Sequence, residues 1–335
     1  MIEIFQKIHQ HKENTLFITQ DIVTVRVAMH QNCNLSCPFC INKELRTPSI
    51  YISKDSIKSS IDKLAKYIKN KHIDLLLWGG ELLQDRCSDS VFCQYIELVE
   101  YFKKVVCPTS IRISVFSNLM HVKTERCIEL LHKLNSSLEA SFDFGLRFAN
   151  ESQLKLFTDN IKAYKKAGIK TDLNVCLSSN NYSALLQKNS LEYSYFLECL
   201  NYIDEVKAIG LRYTNNTSSG HKKFIDSFKL SPKQIALFYI ELDKLHPKSN
   251  ILDMYKSTSK KQSNNCFAIS INSDGSIIWT CVCPTTIIDF AKNNKCMTCK
   301  WYKTCNMSIC FYSHKECYHK YLYSYINENS ILETD

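Results

Sequence analysis

With 335 residues, 45% of them hydrophobic and only 7 Gly and 6 Pro, the chain is long and apolar enough for one large packed domain with an appendage, which excludes a disordered protein. No run approaches the roughly 20 apolar residues of a membrane span, and residues 1–20 lack the apolar centre of a signal peptide, so we predict a soluble, cytoplasmic protein with no membrane partner. The formal net charge of +9 would suit a nucleic-acid partner, but no run of five or six like charges occurs, so we favour a Lys-rich solvated surface and no nucleic acid.

Strands and helices alternate along the first 213 residues. Strand patterns occupy residues 22–29, 73–78, 111–116, 138–144, 171–177 and 206–213, and residues 16–19 also have an extended pattern. Helical apolar stripes occupy residues 53–68, 91–102, 124–134, 153–167 and 181–202. This alternation indicates parallel βαβ units, and six of them predict an α/β fold built as an open, partial (β/α)6 barrel.

The pattern changes after Tyr213. A polar loop is predicted at residues 215–221, and Ser231-Pro232 opens a helix that continues to Leu245. A cysteine-rich segment begins at Asn264. We therefore predict a barrel in residues 1–215, a bridging helical region in residues 216–263 and a separate cysteine-rich domain in residues 264–335.

The total of 17 cysteines is odd, which does not suit a complete disulfide framework. In a reducing compartment such cysteines bind metal or carry out redox chemistry. Eleven of them fall in two groups, within residues 33–40 and 266–317. We interpret the remaining six as buried free thiols: Cys87, Cys93, Cys107, Cys127, Cys176 and Cys199.

Polar and metal-binding residue types follow the first strands of the predicted barrel. Cys33, Cys37 and Cys40 follow the first strand with C-x3-C-x2-C spacing, Gly79-Gly80-Glu81 follows the second, and Ser117-Asn118 follows the third. In parallel barrels the chemistry lies at these carboxyl ends. Three thiolates can hold three irons of a cubane cluster and leave the fourth iron open. Zinc is the alternative, and His30 would then be the nearest fourth ligand.

These residues resemble those of the radical SAM enzymes, whose defining loop corresponds to Cys33, Cys37 and Cys40, with Phe39 as the family's aromatic before the last cysteine. The resemblance implies a 4Fe-4S cluster whose open iron binds S-adenosylmethionine and reductively cleaves it to a radical that abstracts hydrogen. These three cysteines are then catalytic as well as metal-binding. His30 has no place as a ligand in this arrangement.

The same resemblance assigns further residues to S-adenosylmethionine. Gly79, Gly80 and Glu81 match the turn that binds the methionyl amino group, although Leu82 stands where the family usually has proline. Two glycines allow a close backbone approach, and a carboxylate suits an ammonium group. The remaining candidates at the barrel mouth are Ser141 and Asp143, which match the family's Ser-x-Asp, together with Asn118 and Arg147.

The second cysteine group resembles the SPASM extension, which carries two auxiliary 4Fe-4S clusters. The resemblance implies an outer cluster on Cys296, Cys299, Cys305 and Cys317, and an inner cluster on Cys266, Cys281 and Cys310, with Cys283 as a spare ligand. The spacing departs from the family's pattern by one residue before Cys281 and again before Cys310. A zinc ribbon is the alternative reading, because C-x2-C pairs also suit tetrahedral zinc.

The resemblance implies a peptide-modifying oxidoreductase that uses S-adenosylmethionine and three 4Fe-4S clusters. We predict hydrogen abstraction from a ribosomally synthesised peptide and installation of a thioether or carbon–carbon cross-link. Val282 stands where sulfatase-maturing enzymes have an Asp base, which disfavours that branch. The alternatives are a radical SAM dehydrogenase or epimerase acting on a small molecule, and a non-enzymatic zinc-binding protein.

Cys33 comes too early for a leader-recognition domain in front of it. The expected partners are therefore a precursor peptide, a separate recognition protein or a leader held by the barrel itself, and an external electron donor such as flavodoxin or ferredoxin. Edge addition of the peptide to residues 16–19 is one route to leader binding.

Overall fold

The structure is a computed structural model that describes residues 21–40, 42–210, 218–252, 267–281, 321–322 and 324–326. The predicted strand at residues 16–19 lies outside these ranges. So do Cys266, Cys283, Cys296, Cys299, Cys305, Cys310 and Cys317, while Cys281 is described in its backbone alone.

All six predicted barrel strands are present, with bounds close to those expected. They are β1 (Ile22–Ala28), β2 (His72–Trp78), β3 (Ser110–Ser117), β4 (Ser136–Phe142), β5 (Thr171–Leu177) and β6 (Glu205–Gly210). Each pairs in parallel with the next in chain order. The partial-barrel prediction is therefore confirmed, and the carboxyl ends of the strands share one edge.

Helices connect these strands. They are α1 (Lys54–Ile68), α2 (Asp89–Val106), α3 (Thr124–Leu134), α4 (Glu151–Lys166), α5 (Ser179–Gln187), α6 (Leu191–Leu200), α7 (Ser219–Asp226) and α8 (Pro232–Leu245). The capping box of α8, in which Ser231 and Gln234 exchange side-chain and backbone hydrogen bonds, explains why the predicted start is correct. None of the helices in the described ranges is long and apolar enough to cross a membrane.

Residues 181–202 are mostly helical, as predicted, but they form two helices. The break occurs because Lys188 adopts a left-handed conformation (φ 56°) and Ser190 caps the second helix at the Tyr193 N–H. One prediction in this part of the chain was wrong. The loop expected over residues 215–221 contains the start of α7, whose first turn is capped when the Ser218 side chain accepts from the His221 N–H.

The sheet has two strands beyond the predicted six. A hairpin of β7 (Phe267–Ile271) and β8 (Ile277–Cys281) extends it, and β7 pairs in parallel with β1. The strand order is β6-β5-β4-β3-β2-β1-β7-β8. At the hairpin turn, Gly275 has φ +84° and a Cβ there would lie 2.7 Å from the Ser56 Cβ on α1. The start of the predicted cysteine-rich domain is therefore part of the barrel sheet.

Alternate strand residues face the helices and form the apolar core, as Val23, Val25 and Val27 of β1 do. On the opposite face of β4 to β6 polar residues predominate, and Cys176 and Ile209 are apolar exceptions near the cysteine loop. Lys207 Nζ lies 2.9 Å from a Glu139 oxygen and 2.7 Å from an Asp172 oxygen. The interior of the barrel is thus charged and hydrogen-bonded, and the apolar core lies between the sheet and its helices.

Candidate active site

The loop that carries Cys33, Cys37 and Cys40 begins directly beyond β1. Cys37 is buried, Cys33 and Cys40 are half-buried, and all three are free thiols. In this conformation their sulfurs do not converge, since no three His, Cys, Asp or Glu side chains among the described residues are placed to hold a metal ion together. The loop supplies a three-thiolate donor set whose side chains must turn toward a common point on binding.

The charges around the loop favour thiolates once a metal is bound. Burial raises the pKa of Cys33 to about 11, opposed by the Leu35 N–H that donates to its sulfur at 3.5 Å. Burial also raises the pKa of Cys37, and the nearby guanidinium groups of Arg147 and Arg46 oppose that shift. The thiols of Cys33 and Cys37 are therefore protonated at neutral pH, and metal binding must release their protons.

The Gly79-Gly80-Glu81 turn packs directly on the cysteine loop. Gly80 N–H donates to the His30 carbonyl (2.8 Å) and Glu81 N–H to the Asn32 carbonyl (2.9 Å). A Cβ atom on Gly79 would overlap the His30 carbonyl oxygen, and one on Gly80 would overlap that of Asn32. The close approach predicted for this turn is thus made to the protein's own backbone, which interlocks the ends of β1 and β2.

The Glu81 carboxylate is 1% exposed and accepts three hydrogen bonds. The donors are the Leu83 N–H (2.9 Å), the Ser117 hydroxyl (2.7 Å) and the Asn118 N–H (2.5 Å). Burial raises the pKa of Glu81, and these donors oppose the shift. Glu81 therefore ties the end of β2 to the end of β3, and its predicted contact with an ammonium group would use its remaining acceptor capacity.

Asp143 and Arg147 form a buried ion pair beside Cys37. Asp143 Oδ2 accepts from Arg147 Nε (3.0 Å) and from its terminal nitrogen (2.6 Å). The guanidinium lies over the Phe39 ring, 5.6 Å from its centroid. Because Asp143 takes two of the hydrogen bonds of Arg147, the other donors of that guanidinium are what a ligand carboxylate would meet. Ser141 is half-buried on β4, opposite Asn174 of β5.

Two residues near the loop were missed. Cys176, interpreted above as an ordinary buried thiol, packs with Cys37 and Phe39. His221, at the start of α7, hydrogen-bonds the Pro38 carbonyl at 3.0 Å across 183 positions of sequence. The position of Cys176 at the end of the fifth strand was a usable signal. His221 had none, because its contact depends on a helix that was predicted as loop.

His30 is held away from the cysteines. Its Nε2 lies 2.8 Å from the Tyr95 hydroxyl, and its side chain is fully buried. Burial lowers the pKa of His30 to about 4. His30 is therefore not placed to be the fourth ligand of the zinc alternative, whereas three free thiols and nearby guanidinium groups fit an iron–sulfur cluster.

Comparison with known proteins supports this reading. A family described as a 4Fe-4S single cluster domain matches residues 23–156, which run from β1 into α4. The structure of anSMEcpe with bound AdoMet superposes with a TM-score of 0.59 at 16% identity, covering 92% of this chain and 96% of that one. The chain has the radical SAM fold. The resemblance predicted from the motifs is confirmed at that level.

Two of the similar structures contain peptides, one of them a second structure of anSMEcpe. The complex of anSMEcpe with AdoMet and Kp18Cys peptide has a TM-score of 0.58 at 15% identity, covering 91% of this chain and 97% of that one. Streptococcus suis SuiB bound to precursor peptide SuiA has a TM-score of 0.51 at 15% identity, covering 88% and 74% of the two chains. No curated protein matches the sequence.

Proposed function

We propose that this protein is a radical SAM enzyme that abstracts a hydrogen atom from a ribosomally synthesised peptide and installs a thioether or carbon–carbon cross-link. The observation that carries the proposal is the interlocked pair of loops at the barrel mouth. The loop with Cys33, Cys37 and Cys40 and the Gly79-Gly80-Glu81 turn are joined by two backbone hydrogen bonds at the ends of neighbouring strands.

In this proposal Cys33, Cys37 and Cys40 hold the cluster, which supplies the electron for reductive cleavage of S-adenosylmethionine. The protein's part is to bind and orient that cofactor. Glu81 and the Gly79-Gly80 backbone face its methionyl amino group, and Arg147, held by Asp143, directs its remaining donors to the carboxylate. Phe39, Asn118 and Ser141 complete the lining.

A peptide substrate is supported by the two neighbours whose structures contain peptides, SuiB with SuiA and anSMEcpe with Kp18Cys peptide. We propose residues 1–215 as the barrel, 216–263 as the bridging region and 264–335 as the auxiliary-cluster domain, whose first hairpin extends the barrel sheet. That domain would bind two further clusters through the cysteines of residues 266–317.

The first test is metal content and cofactor cleavage after anaerobic reconstitution. We expect about twelve irons per chain, four for each of three clusters. Alanine at Cys33, Cys37 or Cys40 should each abolish cleavage of S-adenosylmethionine and remove about four irons. Cys93→Ala and Cys107→Ala are matched controls, because both thiols are free and, contrary to the prediction that they are buried, exposed. Cleavage that survives in any of the three loop variants would refute the central assignment.

The second test concerns the substrate. Candidate precursor peptides are incubated anaerobically with enzyme, reductant and S-adenosylmethionine, and their masses are then measured. A cross-link removes two hydrogens from the peptide, and fragmentation locates the joined residues. A wild-type enzyme that cleaves the cofactor but modifies only small molecules would retain the radical chemistry and contradict the peptide assignment.

A further inference from the structure

The turn after β3 places a side-chain amide against one of the three cysteines. Asn118 Nδ2 lies 3.8 Å from Cys33 Sγ and 2.8 Å from Asn34 Oδ1. An amide NH2 group has two hydrogens, so Asn118 can donate to both acceptors at once. Cys33 Sγ also accepts from the Leu35 N–H at 3.5 Å.

The orientation of both amides is fixed by a single residue, Met120. Its N–H can only donate, and it faces Asn118 Oδ1 at 2.8 Å. Its carbonyl can only accept, and it faces Asn34 Nδ2 at 2.5 Å. The nitrogen of Asn118 must therefore point toward Cys33, and the oxygen of Asn34 toward Asn118.

The backbone of this turn is held in an unusual conformation. Leu119 has φ 58°, in the left-handed region that a non-glycine residue rarely adopts, and its side chain is fully buried. The turn is closed by the Met120 N–H to Asn118 Oδ1 and by the Leu119 N–H to Ser117 Oγ (3.0 Å). Asn160 supports it from outside by donating to the Leu119 carbonyl at 2.8 Å.

The sulfurs of the three cysteines are not equivalent. Cys33 has the Asn118 amide and the Leu35 N–H as donors, whereas no hydrogen bond to the sulfur of Cys37 or Cys40 forms within the described ranges. As a thiol, Cys33 can itself donate to Asn34 Oδ1 at 4.0 Å. A metal-bound thiolate has lost that proton, so the amide and backbone donors alone face its added charge.

We propose that Asn118 is a positioning residue for the cluster, whose amide N–H donates to the Cys33 thiolate and raises the reduction potential of the bound cluster. This rests on the proposed function. The physical basis is that each added electron increases the negative charge on the cluster sulfurs, so a donor to sulfur stabilises the reduced form more than the oxidised form. Asn118 also donates its backbone N–H to Glu81, which fixes that carboxylate beside the same loop.

The test uses two variants that retain the turn. In Asn118→Ser the hydroxyl can still accept from the Met120 N–H but is too short to reach Cys33. In Asn118→Asp one carboxylate oxygen keeps the Met120 bond and the other replaces the donor with a negative charge beside the sulfur. Asn160→Ala is the matched control, because it weakens the same turn without changing any group near Cys33.

The midpoint potential of the reconstituted cluster at Cys33, Cys37 and Cys40 is measured by EPR during a redox titration without S-adenosylmethionine. We expect the reduction equilibrium constant to fall about threefold in Asn118→Ser and about tenfold in Asn118→Asp, where tenfold corresponds to about 59 mV for a one-electron couple. Asn160→Ala should melt at a lower temperature with an unchanged potential. Unchanged potentials in both Asn118 variants, or the reverse order, would overturn the inference.

A wild-type protein that binds no cluster would instead remove the proposed function itself, so the two failures are distinguishable. If Asn118→Asp does not retain its cluster, Asn118→Ser alone decides the potential. The rate of iron loss to a chelator is an independent readout, and it should rise in the order wild type, Asn118→Ser, Asn118→Asp. Equal rates in all three proteins would count against the hydrogen bond to Cys33.

Discussion

The buried ion pair of Asp143 and Arg147 is expected to stabilise the fold at the barrel mouth. Both side chains are removed from water, with 1% and 10% of their surfaces exposed, and their charged groups approach to 2.6 Å. Asp143 Oδ1 meanwhile accepts from the Cys176 N–H (3.2 Å) and from Asn181 Nδ2 (3.0 Å). Every hydrogen-bond partner of Asp143 among the described residues is therefore a donor.

Asp143→Asn removes the charge and turns one oxygen into an NH2 group. If the NH2 group replaces Oδ2, it faces the Arg147 donors. If it replaces Oδ1, it faces the Cys176 N–H and Asn181 Nδ2. Arg147 also loses the carboxylate that neutralised it. Breaking a buried ion pair by removing one partner costs about 3–5 kcal/mol, and we expect the free energy of unfolding to fall by about that amount.

The assay is urea unfolding of the cluster-free protein followed by far-ultraviolet circular dichroism. Asp159→Asn is the control, since Lys155 and Asp159 have the same i,i+4 spacing and the same 2.6 Å separation but are 66% and 49% exposed. An exposed pair contributes about 0–1 kcal/mol, so that variant should unfold almost as the wild type does.

A double variant separates a buried charge from general damage at this position. Asp143→Asn combined with Arg147→Met removes the unpaired cation, so it should cost less than the sum of the two single changes by about 1–2 kcal/mol. Equal losses of stability in Asp143→Asn and Asp159→Asn would contradict a stabilising buried ion pair. So would a double variant whose loss of stability equals the sum of the losses in Asp143→Asn and Arg147→Met.

Two further predictions concern the same end of the barrel. Gly80→Ala forces a Cβ into the Asn32 carbonyl oxygen and should abolish soluble folded protein. The control is Gly220→Ala on α7, where a Cβ meets nothing within 4 Å. That variant should be neutral or stabilising by about 0.5–1 kcal/mol in thermal melts. Burial lowers the pKa of His121 from 6.5 to about 4, so the unfolded chain binds the proton more readily. The contribution of His121 to stability should therefore fall by about 3 kcal/mol as the pH drops from 6.5 to 4. His121→Gln should flatten that slope while the exposed His132→Gln leaves it unchanged, and equal slopes in both variants would contradict the assignment.

The barrel was predictable because its signals are local. Each strand is a short apolar run followed by a turn, and the cysteine and glycine motifs lie within a few residues of the strand ends. Parallel pairing in chain order then brings those ends to one edge. Asp143 and Arg147 were both named as cofactor residues, yet their pairing with each other was not anticipated, although an i,i+4 spacing is itself a local signal.

The β7–β8 hairpin was missed because its place in the sheet depends on contacts that no local pattern records. β7 pairs with β1 across more than 240 positions, with Thr24 opposite Ala268. Its sequence, Phe-Ala-Ile-Ser-Ile, is an ordinary short strand that could extend any open edge. Gly275 specifies its place, because the turn packs on Ser56 so closely that only glycine fits there.

That hairpin changes what an inner auxiliary cluster could do. Cys281 pairs with Phe267 and so lies one residue before the Ala268–Thr24 level, at the amino-terminal end of β1. The cysteine loop begins beyond Ala28, at the opposite end of that strand. At about 3.3 Å per residue, the five steps from Val23 to Ala28 separate the two levels by about 17 Å along the strand. If Cys281 ligates the proposed inner cluster, the backbone of that ligand lies at the end of β1 opposite the cysteine loop, and this placement suits electron transfer better than direct binding of a substrate thiolate at the barrel mouth.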